Sequence, residues 1–337
     1  MRAIVITKAG GTEVLQVQEQ PSPEVKDGQV KIEVKAAGLN FADIMARMGM
    51  YPAAPPTPMT VGYEVSGIVS AVGAGVSGFT VGQRVAALCR FGGQASEVVV
   101  PELQAIAIPD EMSFEAAAAI PVNYLTAWHC LVWLGNLRKG ETVLIHAAAG
   151  GVGQAGLQIS KLFGAKTIGT ASASKHQALK SAGLDEVIDY NTQDFEAEVL
   201  RLTEGKGVHH ILDAVGGKSF AKSYRVLRPT GRLYCFGVSD MAGQSKSLFR
   251  MAASVARMPF FHPLKLMTQN KGVFGIDLGA LWDEATMLRS QLEEMMVHFK
   301  TGALKSVVDK VFPFTEAGAA HQYIQDRKNV GKVLLIP

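Results

Sequence analysis

The chain has 337 residues, is 48% hydrophobic and carries a formal net charge of +3, so it is long enough to bury two cores. The charge is too small for a nucleic-acid surface, and no block of Lys or Arg stands out, so no nucleic-acid partner is expected. Cys89, Cys130 and Cys235 lie far apart; three such residues exclude a disulfide framework and fit reduced thiols in a cytoplasmic protein.

Residues 1–7 read as a strand rather than a signal peptide. Further short, β-branched runs at 15–19, 30–37, 62–72, 84–89 and 95–100 are separated by Gly, Pro and Asp turns, the pattern of a β-rich segment. Residues 40–47 predict a short helix, and 52–58 a proline-rich loop. Ser113 is placed to cap a helix that opens the apolar run 116–134. Pro121, Asn123 and His129 interrupt that run, which marks it as a buried helix rather than a membrane span. From 142 onward strands and helices alternate: strands at 142–146, 166–170, 186–189, 208–213 and 231–236, with helices at 152–163, 174–182, 194–203 and 217–227. This alternation predicts an α/β fold with a doubly wound parallel sheet. Residues 281–300 read as helix. Strands at 307–311 and 332–336 bring the C-terminal tail back to the first domain.

The stretch from Thr142 to Gln154 organises the second half. A buried strand breaks into Ala147, Ala148, Ala149, Gly150, Gly151, Val152 and Gly153, and a helix follows. Gly150 and Gly153 sit where a dinucleotide fingerprint places its second and third glycines, with Ala148 at the first. Gly150 would let the backbone approach a pyrophosphate, and Gly153 would let the helix pack close to the strand. The helix N-terminus offers N–H groups to the phosphates. An NAD site usually places an acid at the end of the second strand; here Ser172, Ala173, Ser174 and Lys175 stand there instead. Hydroxyls and a cation suit a 2′-phosphate, so the expected cofactor is NADPH, with Ser172, Lys175 and Tyr190 at the adenosine end. The bland readings are a Gly-rich turn without a ligand and a solvated Lys175.

Five stretches carry a resemblance: Ala37–Asp43, the turn Val61–Gly67, Pro121–Ala127, the small-residue turn 147–153, and Lys328–Val333. With them the chain resembles a zinc-free medium-chain dehydrogenase/reductase of the NADPH:quinone oxidoreductase branch, and within it homologues of the vesicle amine transport protein. The resemblance implies a GroES-like β-barrel catalytic domain built from 1–121 and 278–337, a Rossmann domain over 122–277, and a cofactor in the cleft they form. It implies a homodimer joined through Rossmann sheet edges. It also places Asn123 and Thr126 near the nicotinamide carboxamide and ribose, with helix capping as the alternative for both, and Phe236, Gly237, Phe274 and Gly275 on the nicotinamide side. Asn329 and Lys332 would close over the cofactor, unless Lys332 is a surface lysine. Zinc relatives use Cys, His and Cys as ligands. Here Asn40 and Tyr63 occupy two of those positions and no Cys lies near Val122, so no metal site is expected. Without a Lewis acid the expected substrates are quinones or related α,β-unsaturated carbonyls, already electrophilic enough to accept hydride.

Two residues are candidates for the chemistry. Asn40 faces the nicotinamide or the substrate carbonyl, or merely caps the helix after it. Tyr51 matches the loop tyrosine proposed as proton donor in enoyl-thioester reductases, or packs on the proline loop. Asp43 orients local hydrogen bonds or merely sits in the first turns of its helix, and the second reading is preferred. His129, His146 and His176 have no carboxylate at suggestive spacing and receive no role. The apolar and basic segment 241–267 reads as a pocket wall or dimer contact, with membrane-surface contact as the alternative. The alternative functions are an enoyl-thioester reductase and a non-enzymatic NADPH-binding protein that works at membranes or with partners.

Overall fold

The structure is a computed structural model that describes residues 1–239 and 258–337. Most of segment 241–267 therefore lies outside the described residues. The chain divides into two compact units, Met1–Leu125 with Leu278–Pro337, and Thr126–Asp277.

In the first unit, β1 (Arg2–Ile6) and β2 (Leu15–Glu19) form an antiparallel ribbon. Next come β3 (Gln29–Leu39), α1 (Phe41–Arg47), β4 (Glu64–Val72), β5 (Arg84–Leu88), β6 (Glu97–Pro101) and β7 (Ala105–Ala107). The three-residue β7 is too short to show a period in the sequence. Along β3, Val30, Ile32 and Val34 turn inward at every second position, as the pleat requires. A register shift between Val34 and Ala36 then changes the phase, so that Ala37 and Leu39 join the same core while Ala36 packs with Ala118 and Leu334.

The run 116–134 is not one helix. Ser113 caps α2 (Phe114–Ala118), its hydroxyl accepting from the Ala116 N–H at 3.1 Å. The chain then restarts as α3 (Pro121–Trp128) and ends in a π-helical turn, His129–Leu134. Pro121 forces the break because it has no N–H to continue a helix and suits the first turn of a new one.

The second unit follows as β8 (Thr142–Ile145), α4 (Gly151–Leu162), β9 (Lys166–Ala171), α5 (His176–Ser181), β10 (Glu186–Asp189), α6 (Phe195–Leu202), β11 (Val208–Asp213), α7 (Lys218–Arg225), β12 (Leu227–Cys235), α8 (Pro263–Gln269) and β13 (Gly272–Gly275). Its six strands are parallel in the order β10-β9-β8-β11-β12-β13. The order reverses direction after β8, so the crevice at the carboxyl ends of β8 and β11 is where a doubly wound sheet binds ligands. Leu144, Ile168, Ile188, Ile211 and Leu233, one from each of five strands, make a common core. Near-continuous apolar strands are what burial on both faces demands.

The chain returns to the first unit with α9 (Ala285–Lys300), β14 (Val308–Pro313), α10 (Ala317–Gln325) and β15 (Lys332–Ile336). The seven-stranded sheet there runs β14-β15-β3-β4-β5-β7, with β6 also on β3. Residues from both chain ends, among them Val34, Val65, Phe312 and Leu335, share its core. Among the described residues no helix is long and apolar enough to cross a membrane.

Candidate dinucleotide site and a buried polar cluster

The turn from β8 into α4 is built from small residues because nothing larger fits. A Cβ on Gly153 would lie 2.5 Å from the Ala147 carbonyl oxygen and 2.6 Å from that of Ala148. A second close approach lies at Gly156, where a Cβ would meet the end of the Leu212 side chain at 2.5 Å. At Gly153 the missing side chain lets the first turn of α4 lie against the backbone that leaves β8. Ala147 takes the left-handed conformation, with φ of 50°, and Ala148 is fully buried. Gly150 precedes the helix with its N–H bonded to the Ala147 carbonyl at 2.8 Å. A Cβ there would meet only that carbonyl, at 3.3 Å, which leaves its outer face open to a ligand. The first-turn N–H groups of Gly151, Val152 and Gly153 have no acceptor within a helix by geometry. They form an anion cradle with the positive end of the α4 dipole.

The neighbouring strand ends bring the other expected adenosine residues together. Ala171 and Asp189 pair across β9 and β10, so Ser172 and Tyr190, each one residue further on, leave the same sheet edge. Ser172 Oγ lies 3.3 Å from Ser174 Oγ, and the Lys175 N–H bonds the Ser172 carbonyl at 2.9 Å. Tyr190 is 39% exposed, so its ring is accessible. No acid stands in the 171–176 turn.

On the other side of β8, Phe236 and Gly237 follow β12 directly. The Phe236 N–H donates to the Asp213 carbonyl at 3.1 Å, and a Cβ on Gly237 would press the Ala214 carbonyl at 2.8 Å. Phe274 stacks on Tyr234 with ring centres 5.6 Å apart, and Gly275 closes β13 with nothing within 4 Å of where a Cβ would stand. Thr126 is buried at 6% exposure. His146, read as lacking a carboxylate, lies 3.9 Å from Asp213 Oδ2. Asp213 is far along the chain from it, and only the parallel pairing of β8 with β11 brings the two together.

The first unit holds a second polar group of residues. Asn40 precedes α1, and its backbone N–H donates to Asp43 Oδ2 at 2.7 Å. Its side chain does more than cap. Asn40 Nδ2 donates to Glu64 Oε1 at 3.0 Å, and Asn40 Oδ1 accepts from Lys332 Nζ at 2.6 Å. Lys332 and Glu64 also form an ion pair, and the Val122 N–H donates to Glu64 Oε2 at 2.7 Å. Lys332 is 2% exposed and Glu64 is fully buried, which rules out the reading of Lys332 as a surface lysine. Burial also pushes the Asp43 carboxyl up to about 7, against a downward pull from the Asn40 N–H and Lys332. Sequence reasoning weighed a hydrogen-bond-orienting part for Asp43 but preferred an ordinary first-turn residue, and it missed Glu64. The available signal was an acid at the head of a strand, 64–72, that carries no other charge.

Tyr51 is half-buried on the cluster of Ile6, Val14, Ala46, Met59 and Val61, edge-on to Tyr63 at 6.0 Å. Asn123 is buried, its Nδ2 reaching the Ala119 carbonyl at 3.5 Å. Asn329 Nδ2 donates to the Gly331 carbonyl at 2.9 Å. Among the described residues, no group of three or more His, Cys, Asp and Glu could hold a metal ion.

Residues 182–335 match a family model described as a zinc-binding dehydrogenase, and residues 26–110 match an alcohol dehydrogenase GroES-like domain. The chain is 40% identical over 341 aligned residues to the synaptic vesicle membrane protein VAT-1 homolog of Homo sapiens, covering 100% of this chain and 86% of that protein. The crystal structure of Escherichia coli quinone oxidoreductase complexed with NADPH is similar throughout, at a TM-score of 0.88 and 31% identity, covering 100% of both chains. That of the CurK enoyl reductase has a TM-score of 0.85 and 33% identity, covering 99% of this chain and 98% of that one. The parallel sheet, the small-residue turn and these similarities together establish that the chain belongs to the medium-chain dehydrogenase/reductase family, in company with the quinone oxidoreductases and the VAT-1 homologues.

Proposed function

We propose that the protein is an NADPH-dependent reductase of quinones or related α,β-unsaturated carbonyls. The observation that carries this reading is the anion cradle at 150–153 beside a strand end that offers Ser172, Ser174 and Lys175 in place of an acid. The cradle suits a pyrophosphate, and the hydroxyls with the lysine suit a 2′-phosphate that a carboxylate would repel. The NADPH complex of the similar E. coli quinone oxidoreductase supports it. Bound NADPH would supply the hydride. In this reading Gly150, Gly151, Val152 and Gly153 hold the pyrophosphate through backbone N–H groups, with Ala149 shaping the turn. Ser172, Lys175 and Tyr190 select the phosphorylated adenosine. Asn123, Thr126, Phe236, Gly237, Phe274 and Gly275 are assigned to the nicotinamide half, and Asn329 to closure over the cofactor. Lys332 acts through Asn40, because its ammonium is already held by Glu64 and Asn40.

Asn40 is the residue assigned to the substrate. With Oδ1 held by Lys332 and one Nδ2 hydrogen given to Glu64, the amide cannot flip. Its second N–H is left for a carbonyl oxygen that gains negative charge as hydride arrives. Tyr51 is the proton donor of this proposal, its phenol returning a proton to the reduced product.

Similarity to the CurK enoyl reductase favours a second reading, an enoyl-thioester reductase. The test is a fluorescence titration of the purified protein with NADPH and NADH, followed by NADPH oxidation against quinones, enones and an enoyl-CoA. Lys175→Glu should weaken NADPH binding at least tenfold more than NADH binding, about 1.4 kcal/mol of selectivity. Equal losses for the two would remove Lys175 from the phosphate site. Turnover of the enoyl-CoA alone would favour the second reading. NADPH binding without oxidation of any acceptor would favour a non-enzymatic role in the manner of a membrane or partner-associated protein.

A further inference from the structure

His146 lies at the point where the strand order reverses, and its two ring nitrogens reach a strand on one side and a helix on the other. Nδ1 is 3.1 Å from Thr170 Oγ1 on β9, and Nε2 is 3.0 Å from Ser223 Oγ on α7. Ser223 Oγ in turn donates to Asp213 Oδ2 at 2.8 Å, and Ser219 Oγ donates to the same oxygen at 2.7 Å. The other oxygen, Asp213 Oδ1, accepts the backbone N–H groups of Val215 at 2.8 Å and Gly216 at 3.3 Å. All five side chains are buried, at 0–9% exposure.

The donor inventory fixes every proton in this chain. A carboxylate only accepts, so Ser223 gives its single hydroxyl hydrogen to Asp213. Towards His146 the Ser223 oxygen can then only accept, which puts the imidazole hydrogen on Nε2. Nδ1 is bare and accepts from the Thr170 hydroxyl. Burial favours this neutral ring against the pull of Asp213. The result is a one-directional relay from Thr170 through His146 and Ser223 to Asp213. It ends on the N–H groups of the turn after β11.

That turn belongs to the half of a doubly wound sheet opposite the adenosine strands β9 and β10. Backbone bonds brace the same place: the His146 N–H donates to the Leu212 carbonyl at 3.0 Å, and the Ala148 N–H to the Thr170 carbonyl at 3.1 Å. So the residue directly before the pyrophosphate turn also holds the turn at 214–217. We propose that His146 is a positioning residue: acting through Ser223 and Asp213, it sets the 214–217 turn for the nicotinamide half of the dinucleotide. The proposal rests on the NADPH reading above and adds to it a residue to which that reading gave no part.

Two substitutions divide the relay. An asparagine amide reaches the position of Nδ1 and a glutamine amide that of Nε2, so His146→Asn keeps the contact to Thr170 and His146→Gln keeps the contact to Ser223. Calorimetry with NADPH and with 2′,5′-ADP, which lacks the nicotinamide half, separates the two sides. His146→Asn should weaken NADPH about tenfold, the loss of roughly one hydrogen bond, and leave 2′,5′-ADP within about twofold. His146→Gln should stay near wild type for both. Ser223→Ala, which leaves His146 on Thr170, should reproduce the His146→Asn pattern if the latter folds poorly. Amide exchange should be faster at Val215 and Gly216 in His146→Asn. Equal losses for the two nucleotides, or no loss together with unchanged exchange at Val215 and Gly216, would overturn the proposal while leaving the cofactor reading intact. A wild-type chain that takes up neither nucleotide would overturn both.

Discussion

Lys332→Met isolates the buried charge pair of the first unit. The substitution keeps the length and apolar stem of the side chain and removes the ammonium. Glu64, fully buried, would retain the N–H groups of Asn40 and Val122 but lose the cation of its ion pair. Two unit charges about 4 Å apart attract by roughly 4 kcal/mol at an effective dielectric of 20. Removing one member of a buried pair costs about 3–5 kcal/mol, because the other charge stays behind without its partner. In a protein of this size, with an unfolding entropy of about 0.7 kcal/mol/K, that corresponds to a fall in Tm of roughly 4–7 °C. Glu64→Gln should cost a similar amount for the converse reason. The double variant, with neither charge, should be more stable than the sum of the two losses predicts, with a coupling energy of about 2 kcal/mol or more. Equilibrium unfolding in urea measures all four corners of the cycle. Single variants within about 1 kcal/mol of wild type, or losses that simply add, would show that solvent screens the pair and that it does not hold the Asn40 amide.

The same cluster makes stability depend on pH. Asp43 titrates near 7 when folded against an ordinary 3.8, so between those values the folded state binds the proton more tightly. Stability should therefore fall as pH rises from about 4 to about 7 and level off above, by roughly 4 kcal/mol at most from this group. Asp43→Asn should flatten that slope, and an unchanged slope in unfolding curves from about pH 5 to about pH 8 would exonerate Asp43. Gly153→Ala should lose NADPH binding and melt several degrees lower, because its methyl has only backbone carbonyls to meet; Gly275→Ala, with open space around it, should melt like wild type. A normal melt and normal binding in Gly153→Ala would mean that the turn can shift aside. Tyr51→Phe should lower turnover and leave NADPH affinity unchanged, and full turnover would confine Tyr51 to its packing on Tyr63.

Much of the fold could be read before any tertiary structure. The alternation of apolar strands with amphipathic helices from 142 onward identified the parallel sheet, because burial on both faces leaves no other pattern for those strands. The small-residue turn was legible because only backbone can occupy the space beneath α4. Element ends were less so. Pro121 divides one apolar run into two helices, and the left-handed bend falls on Ala147, a residue type that gives no local sign of it.

What the sequence determined by itself was the kind of site: a cradle of backbone N–H groups and a strand end without an acid, both set by residues close in the chain. Which polar side chains meet was decided only by the tertiary structure. Lys332 reaches Asn40 across 292 positions, and His146 reaches Asp213 only through the pairing of β8 with β11. A buried charge or imidazole is tolerated only where partners converge on it. The partners of Glu64 and His146 come from separate elements, so no local pattern announces them.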